Sequence, residues 1–166
     1  MNERFSGRIR VTLLVGALLA VGMAVAFAQP DDHDHHHHHA TGAELALELY
    51  DGERWVTDES LRMGMNEIHQ HFDTAHDAYR AGQLEHESAV VLADQVDEQV
   101  QFIFAHCNLP DEADAELHKL LAATLSATRT LRESDDVHDG LHALHQVLAS
   151  YGEYFDHPDW SAKTRH

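Results

Sequence analysis

Cysteine is almost absent from this chain of 166 residues, and Cys107 is the only one. A lone cysteine excludes an internal disulfide framework. Its default place is buried, as a small apolar residue, with metal binding or pairing between chains as the alternatives. Basic residues are scarce as well: 11 Lys and Arg stand against 29 Asp and Glu, for a formal charge of −18. So acidic a chain repels phosphate backbones and anionic lipid surfaces, which argues against nucleic acid and makes cations its natural partners; stable membrane insertion is not expected once a signal segment is cleaved. Also missing are a His-Glu-x-x-His pair, a nucleophile elbow, a phosphate loop and the paired Glu-x-x-His of di-iron bundles. Their absence points to a binding protein and not an enzyme.

What is present falls into three parts. Arg4, Arg8 and Arg10 precede an apolar run from Val11 to Ala28, which closes on Ala26-Phe27-Ala28. That is the layout of a secretory signal peptide over residues 1–28, and it implies export to a bacterial periplasm. Retention of the run as a membrane anchor is the alternative. All 17 histidines lie beyond it.

A tract over residues 29–44 comes next. It reads Asp31-Asp32-His33-Asp34-His35-His36-His37-His38-His39. Such a run cannot build a core and is expected to be disordered. Neutral imidazoles suit zinc, copper or nickel, and carboxylates add attraction for the cation. His33, Asp34, His35, His36, His37, His38 and His39 are therefore candidate ligands of a loose collector. A purification tag would also produce such a run, but the interleaved aspartates argue against one.

Residues 45–57 alternate Leu45, Leu47 and Leu49 with polar neighbours, and Asp51-Gly52 is a turn signal. They predict a short hairpin or extended strap, with Trp55 plugging one end of the fold. The remainder, 58–160, predicts four amphipathic helices, followed by a tail over 161–166. Leu61, Met65, Ile68, Phe72, Ala75 and Tyr79 mark the first stripe, and Ala89, Ala93, Val96, Val100, Ile103 and Cys107 the second. Leu117, Leu121, Thr124, Thr128 and Leu131 mark the third, and Val137, Leu141, Leu144, Leu148, Tyr151 and Phe155 the fourth. Short connections make this an all-α, antiparallel up-down-up-down four-helix bundle. Trp160, beyond the helix-ending Pro158, is expected to cover exposed core. Gly140 inside the fourth helix has no evident local reason.

Heptad positions bring the histidines together. His69 and His76 on the first helix, and His138 and His145 on the fourth, flank the apolar stripes where antiparallel neighbours face each other. Counting from the helix ends sets His69 level with His145 and His76 level with His138, with the two levels about 10 Å apart. Asp73 and His142 lie between them. The groove between these helices is thus the candidate site for a defined transition metal, with His69, Asp73, His76, His138, His142 and His145 as ligands. Binding is expected to weaken as pH falls through about 6.5, the ordinary imidazole range. Met63, Met65, Cys107 and His118 form a second, softer cluster, for which core packing is the better reading of Met65 and Cys107.

The signal peptide, the bundle and Met65 near the start of the first helix resemble the small periplasmic four-helix cytochromes, cytochrome c-prime and the soluble b-type bundle. The likeness covers residues 58–156. The c-prime family carries its haem on a Cys-x-x-Cys-His motif in the last helix, and no cysteine stands there in this chain. The b-type resemblance implies a non-covalent haem held by a Met and a His, for which Met65 and His145 are the nearest matches. A stress or chaperone-type bundle with protein partners is a further alternative.

Overall fold

The computed structural model describes residues 45–160. The expected signal peptide over 1–28, the histidine tract over 29–44 and the tail over 161–166 lie outside them. Four helices dominate: α1 (Glu59–Arg80), α2 (His86–His106), α3 (Asp111–Glu133) and α4 (Val137–Tyr154). They form a four-helix bundle in which α1 packs on α2, α2 on α3 and α3 on α4, while α4 meets α1 less closely.

Each helix end has a local cause. Asp58 caps α1, its carboxylate accepting the Leu61 amide at 2.7 Å. At the other end Gly82, at φ 68°, closes a Schellman turn, with Gly82 N–H donating to Tyr79 and Gln83 N–H to Ala78. Asp136 caps α4 through the His138 amide. Asp111, Glu112 and Asp114 crowd the first turn of α3, where the helix dipole favours negative charge.

The apolar stripes are the core. Leu61, Met65 and Ile68 of α1, Ala93 and Val96 of α2, Leu121 and Leu131 of α3, and Leu144 and Tyr151 of α4 are all buried. The stripe frays only at its ends: Tyr79 is exposed and Cys107 half-buried. Gly140 now has its reason. A Cβ there would lie 2.7 Å from the Leu131 side chain and 2.9 Å from the Leu131 amide nitrogen, so the missing side chain lets α4 press against α3.

Of the expected hairpin or extended strap, the segment before α1 is nearer the strap. Asp51 (φ 49°) and Gly52 (φ 86°) do make a two-residue turn, with Tyr50 and Glu53 exchanging backbone hydrogen bonds. Leu45–Leu49 form no strand, however. The return leg β1 (Trp55–Val56) instead pairs in parallel with β2 (Phe155–Asp156), which continues directly from α4. A two-residue pairing between segments so far apart leaves no periodic trace in a sequence. Arg54 and Thr57 reinforce it, through an ion pair to Asp156 at 3.2 Å and a hydrogen bond to the Asp156 carbonyl at 2.6 Å.

Trp55 is not the plug. It is half-buried, donates to the Glu48 carbonyl at 2.6 Å and leans on Tyr50. Leu47 enters the core in its place, and the strap is pinned to α3 by Glu116, whose buried carboxylate accepts the Glu48 amide and the Lys119 ammonium. Trp160 does cover core, at 2% exposure.

Gly140→Ala tests the contact between α3 and α4. Alanine should raise helix propensity, yet the overlap with Leu131 costs about 1–3 kcal/mol. A lowered urea midpoint is expected, and an unchanged or raised midpoint would show that the two helices have room to part.

Candidate metal site in the groove between α1 and α4

The seam between α1 and α4 is where the bundle opens. A groove of about 370 Å³ lies there, lined by His69, Phe72, Asp73 and His76 from α1, by His145, Leu148, Ala149, Gly152 and Glu153 from α4, and by Trp160. Positions 145, 148, 149, 152 and 153 follow the i, i+3, i+4 rule of one helix face, so α4 presents a continuous wall.

Trp160 closes the wall because position 152 has no side chain. A Cβ on Gly152 would sit 2.5 Å from the indole, and the indole N–H donates to the Leu148 carbonyl at 3.2 Å. Tyr151 and His157 hold the indole from its other sides, at ring separations of 4.7 and 5.1 Å, and share a hydrogen bond of 3.0 Å with each other. Burial pushes the Tyr151 phenol well above its ordinary range, so it stays protonated.

His69 meets the edge of Trp160 at 5.1 Å and is itself only 5% exposed. Its Nδ1 lies 3.0 Å from Asp73 Oδ2, a carboxylate–imidazole contact that fixes the ring. Further along, Phe72 contacts two imidazoles: His76 stacks on it at 5.4 Å, and His145 is tilted against it at 5.9 Å. His145 is held below its ordinary pKa, first because its inner side loses water and then by the neighbouring His76 and His142. It is therefore neutral, the form that binds metal.

The register between the two helices differs from the one counted off the helix ends. Phe72 meets His145 and Tyr79 meets His138, so α4 is displaced along α1 by about one turn. His145 consequently faces the space between His69 and His76. His138 and His142 fall outside the groove, exposed, with their rings stacked at 6.0 Å. They remain an i, i+4 pair, though a separate one, with His138 also 3.4 Å from Asp139. The count missed the shift because the ends of two helices need not coincide in height, and packing along the whole seam sets their register. Glu153 and Trp160 were missed as well. The signal for Glu153 was its position eight residues after His145, on the same face.

Among the described residues, no group of three or more His, Cys, Asp or Glu side chains is already gathered to hold a metal ion. The groove offers ligand types on its walls and not a finished coordination shell. The softer cluster does not assemble either. Met65 is fully buried in the core, and His118 Nδ1 contacts Asp114. Burial, together with the charge and hydrogen bond of Asp58, pushes the Cys107 thiol up to about 12, which opposes the thiolate that a metal needs. As a haem pair, Met65 and His145 do not face each other: Met65 lies seven residues, about 10 Å, from the Phe72 that His145 touches.

Comparison with protein families, with curated proteins and with solved structures finds no match for this chain.

The depressed pKa of His145 sets a sign for stability against pH. Below about 6.5 the unfolded chain binds a proton that the folded His145 resists, so folding stability drains as pH falls from there through the folded value. His145→Gln should show a shallower loss of thermal midpoint between pH 7.5 and 5 than the parent chain. Parallel profiles would show that the groove does not desolvate this ring.

Proposed function

We propose that this chain is an exported transition-metal-binding protein of the bacterial periplasm, which captures, buffers or delivers zinc, copper or nickel. In this reading a signal peptide over residues 1–28 is cleaved, the tract from His33 to His39 collects metal loosely, and an antiparallel up-down-up-down bundle carries the defined site. One observation supports it above the others: three imidazoles and two carboxylates, from His69, His76, His145, Asp73 and Glu153, line one groove of an acidic protein. The half-buried His76 and the exposed His145 both contact the Phe72 ring, and in this reading they turn toward a common ion. Asp73 would serve His69 as the outer carboxylate that orients a ligating imidazole. His138 and His142, stacked on the outer face of α4, would form a weaker second chelate.

Zinc titration by calorimetry tests the reading, on the chain from Gln29 onward with the tract histidines replaced by serine. One tight site is expected to remain, beside the weaker His138 and His142 chelate. His76→Ala and His145→Ala should each abolish most of its affinity, and Asp73→Asn should weaken it about 10–100-fold. His106→Ala, an exposed histidine of α2, should change nothing. Loss of all binding with the tract, or binding indifferent to His76 and His145, would overturn the groove as the site.

A further inference from the structure

The strap ahead of α1 is held firmly and yet turns apolar side chains outward. Backbone bonds, the buried Leu47 and the pairing of β1 with β2 fix it to the bundle. Leu49, Tyr50 and Val56 are nevertheless 42, 58 and 60% exposed. Scattered singly, such residues need no explanation, but a group of them on one fixed segment marks an interaction surface. The sheet adds a second mark. It has two strands, and among the described residues no strand pairs with the outer edge of β1. An edge strand beside exposed aliphatic and aromatic side chains is a template for another extended chain.

The charges around that edge select its occupant. Glu48, Asp51 and Glu53 are exposed, and none of their carboxylates has a partner among the described residues. Arg54, the only cation of the strap, is taken up by Asp156 at 3.2 Å. Between the carboxylates, Tyr50 and Trp55 meet at 5.2 Å with their rings tilted by 47°. We propose that the outer edge of β1 docks an extended segment of a partner protein that bears arginine or lysine. The segment joins β1 as a third strand, and its side chains alternate between the two faces of the sheet. On one face a guanidinium or ammonium group lies over Tyr50 and Trp55, with the three carboxylates near it. On the other, an apolar residue covers Val56, which follows Trp55 in the strand and so points away from it. A second copy of this chain is a poor occupant, because a formal charge of −18 repels it. Anionic lipid and phosphate backbones are repelled for the same reason. The strap is already in place, so little ordering opposes docking. None of its residues lines the groove, and the proposal stands whether or not the groove takes metal.

Two capped hexapeptides serve as probes, one alternating arginine with valine and the other glutamate with valine. Their binding to the chain from Gln29 onward is read by fluorescence anisotropy. The arginine peptide is expected to bind at least about 10-fold more tightly than the glutamate one, and to weaken as salt rises. Of two copies methylated on alternate amide nitrogens, in one set or the other, at least one should lose the binding. Tyr50→Ala should weaken it about 3–10-fold. Asp51→Asn with Glu53→Gln should also weaken it and flatten the salt dependence. Glu98→Gln with Glu112→Gln removes the same charge from exposed positions of α2 and α3 and should do neither. Equal binding of the two peptides, undiminished binding of both methylated copies, or equal effects of the two charge pairs would overturn the proposal. So would a lack of binding at millimolar peptide. If the chain alone dimerises and Tyr50→Ala abolishes the dimer, the edge belongs to a second copy and the proposal falls.

Discussion

The seating of Trp160 on the bare backbone of Gly152 is the contact on which the functional end of this bundle depends. It lets the N–H edge of an indole press on α4, with that N–H satisfied by the Leu148 carbonyl and the ring held by Tyr151, His157 and His69. Without that seat the chain after β2 loses its main hold on α4. β2 precedes it by only a few residues, so the partner of β1 would lose its anchor too. The groove would lose a wall, and His69 the aromatic edge that helps to bury it. A single missing side chain therefore couples the strap, the core and the site.

Much of the fold was legible because bundle helices advertise themselves. The four stripes recur at three- and four-residue steps, and Asp58, Gly82, Pro110 and Asp136 punctuate them as their chemistry requires. What could not be read is what depends on distance through space. The parallel pairing of Trp55 with Phe155 has two residues on each side and no pattern to betray it. Gly140 looked like a cost within its own helix, because its benefit lies on α3, in the side chain of Leu131.

The site shows the same division. The face of α1 that bears His69, Asp73 and His76, and its meeting with His145 across a seam, follow from helix periodicity. The height at which they meet does not. Register between two helices is set by packing at every level along them, and a one-turn error moves His138 and His142 from the groove to the outer surface. Nor does periodicity reveal a Trp that arrives from beyond the helix. In the assembled groove the pKa of His145 is lowered by desolvation and by its histidine neighbours together, which leaves a neutral donor at ordinary pH. In the proposed reading, acidic composition would draw cations in and neutral imidazoles would hold them.

The parallel sense of β1 and β2 has a mechanical meaning. The described chain enters just before β1 and leaves just after β2, so the four helices lie inside a loop that this pairing closes. Tension between the two ends pulls β1 toward its start and β2 toward its finish, in opposite directions along a shared axis. The bonds of the pairing are then loaded together in shear, where an antiparallel pair would peel open one bond at a time. Together with the Thr57 bond to the Asp156 carbonyl, they form a catch that carries the force. Load also reaches α3 through Leu47 and Glu48, and α4 through Trp160, so the pairing shares the force with the strap and the indole seat.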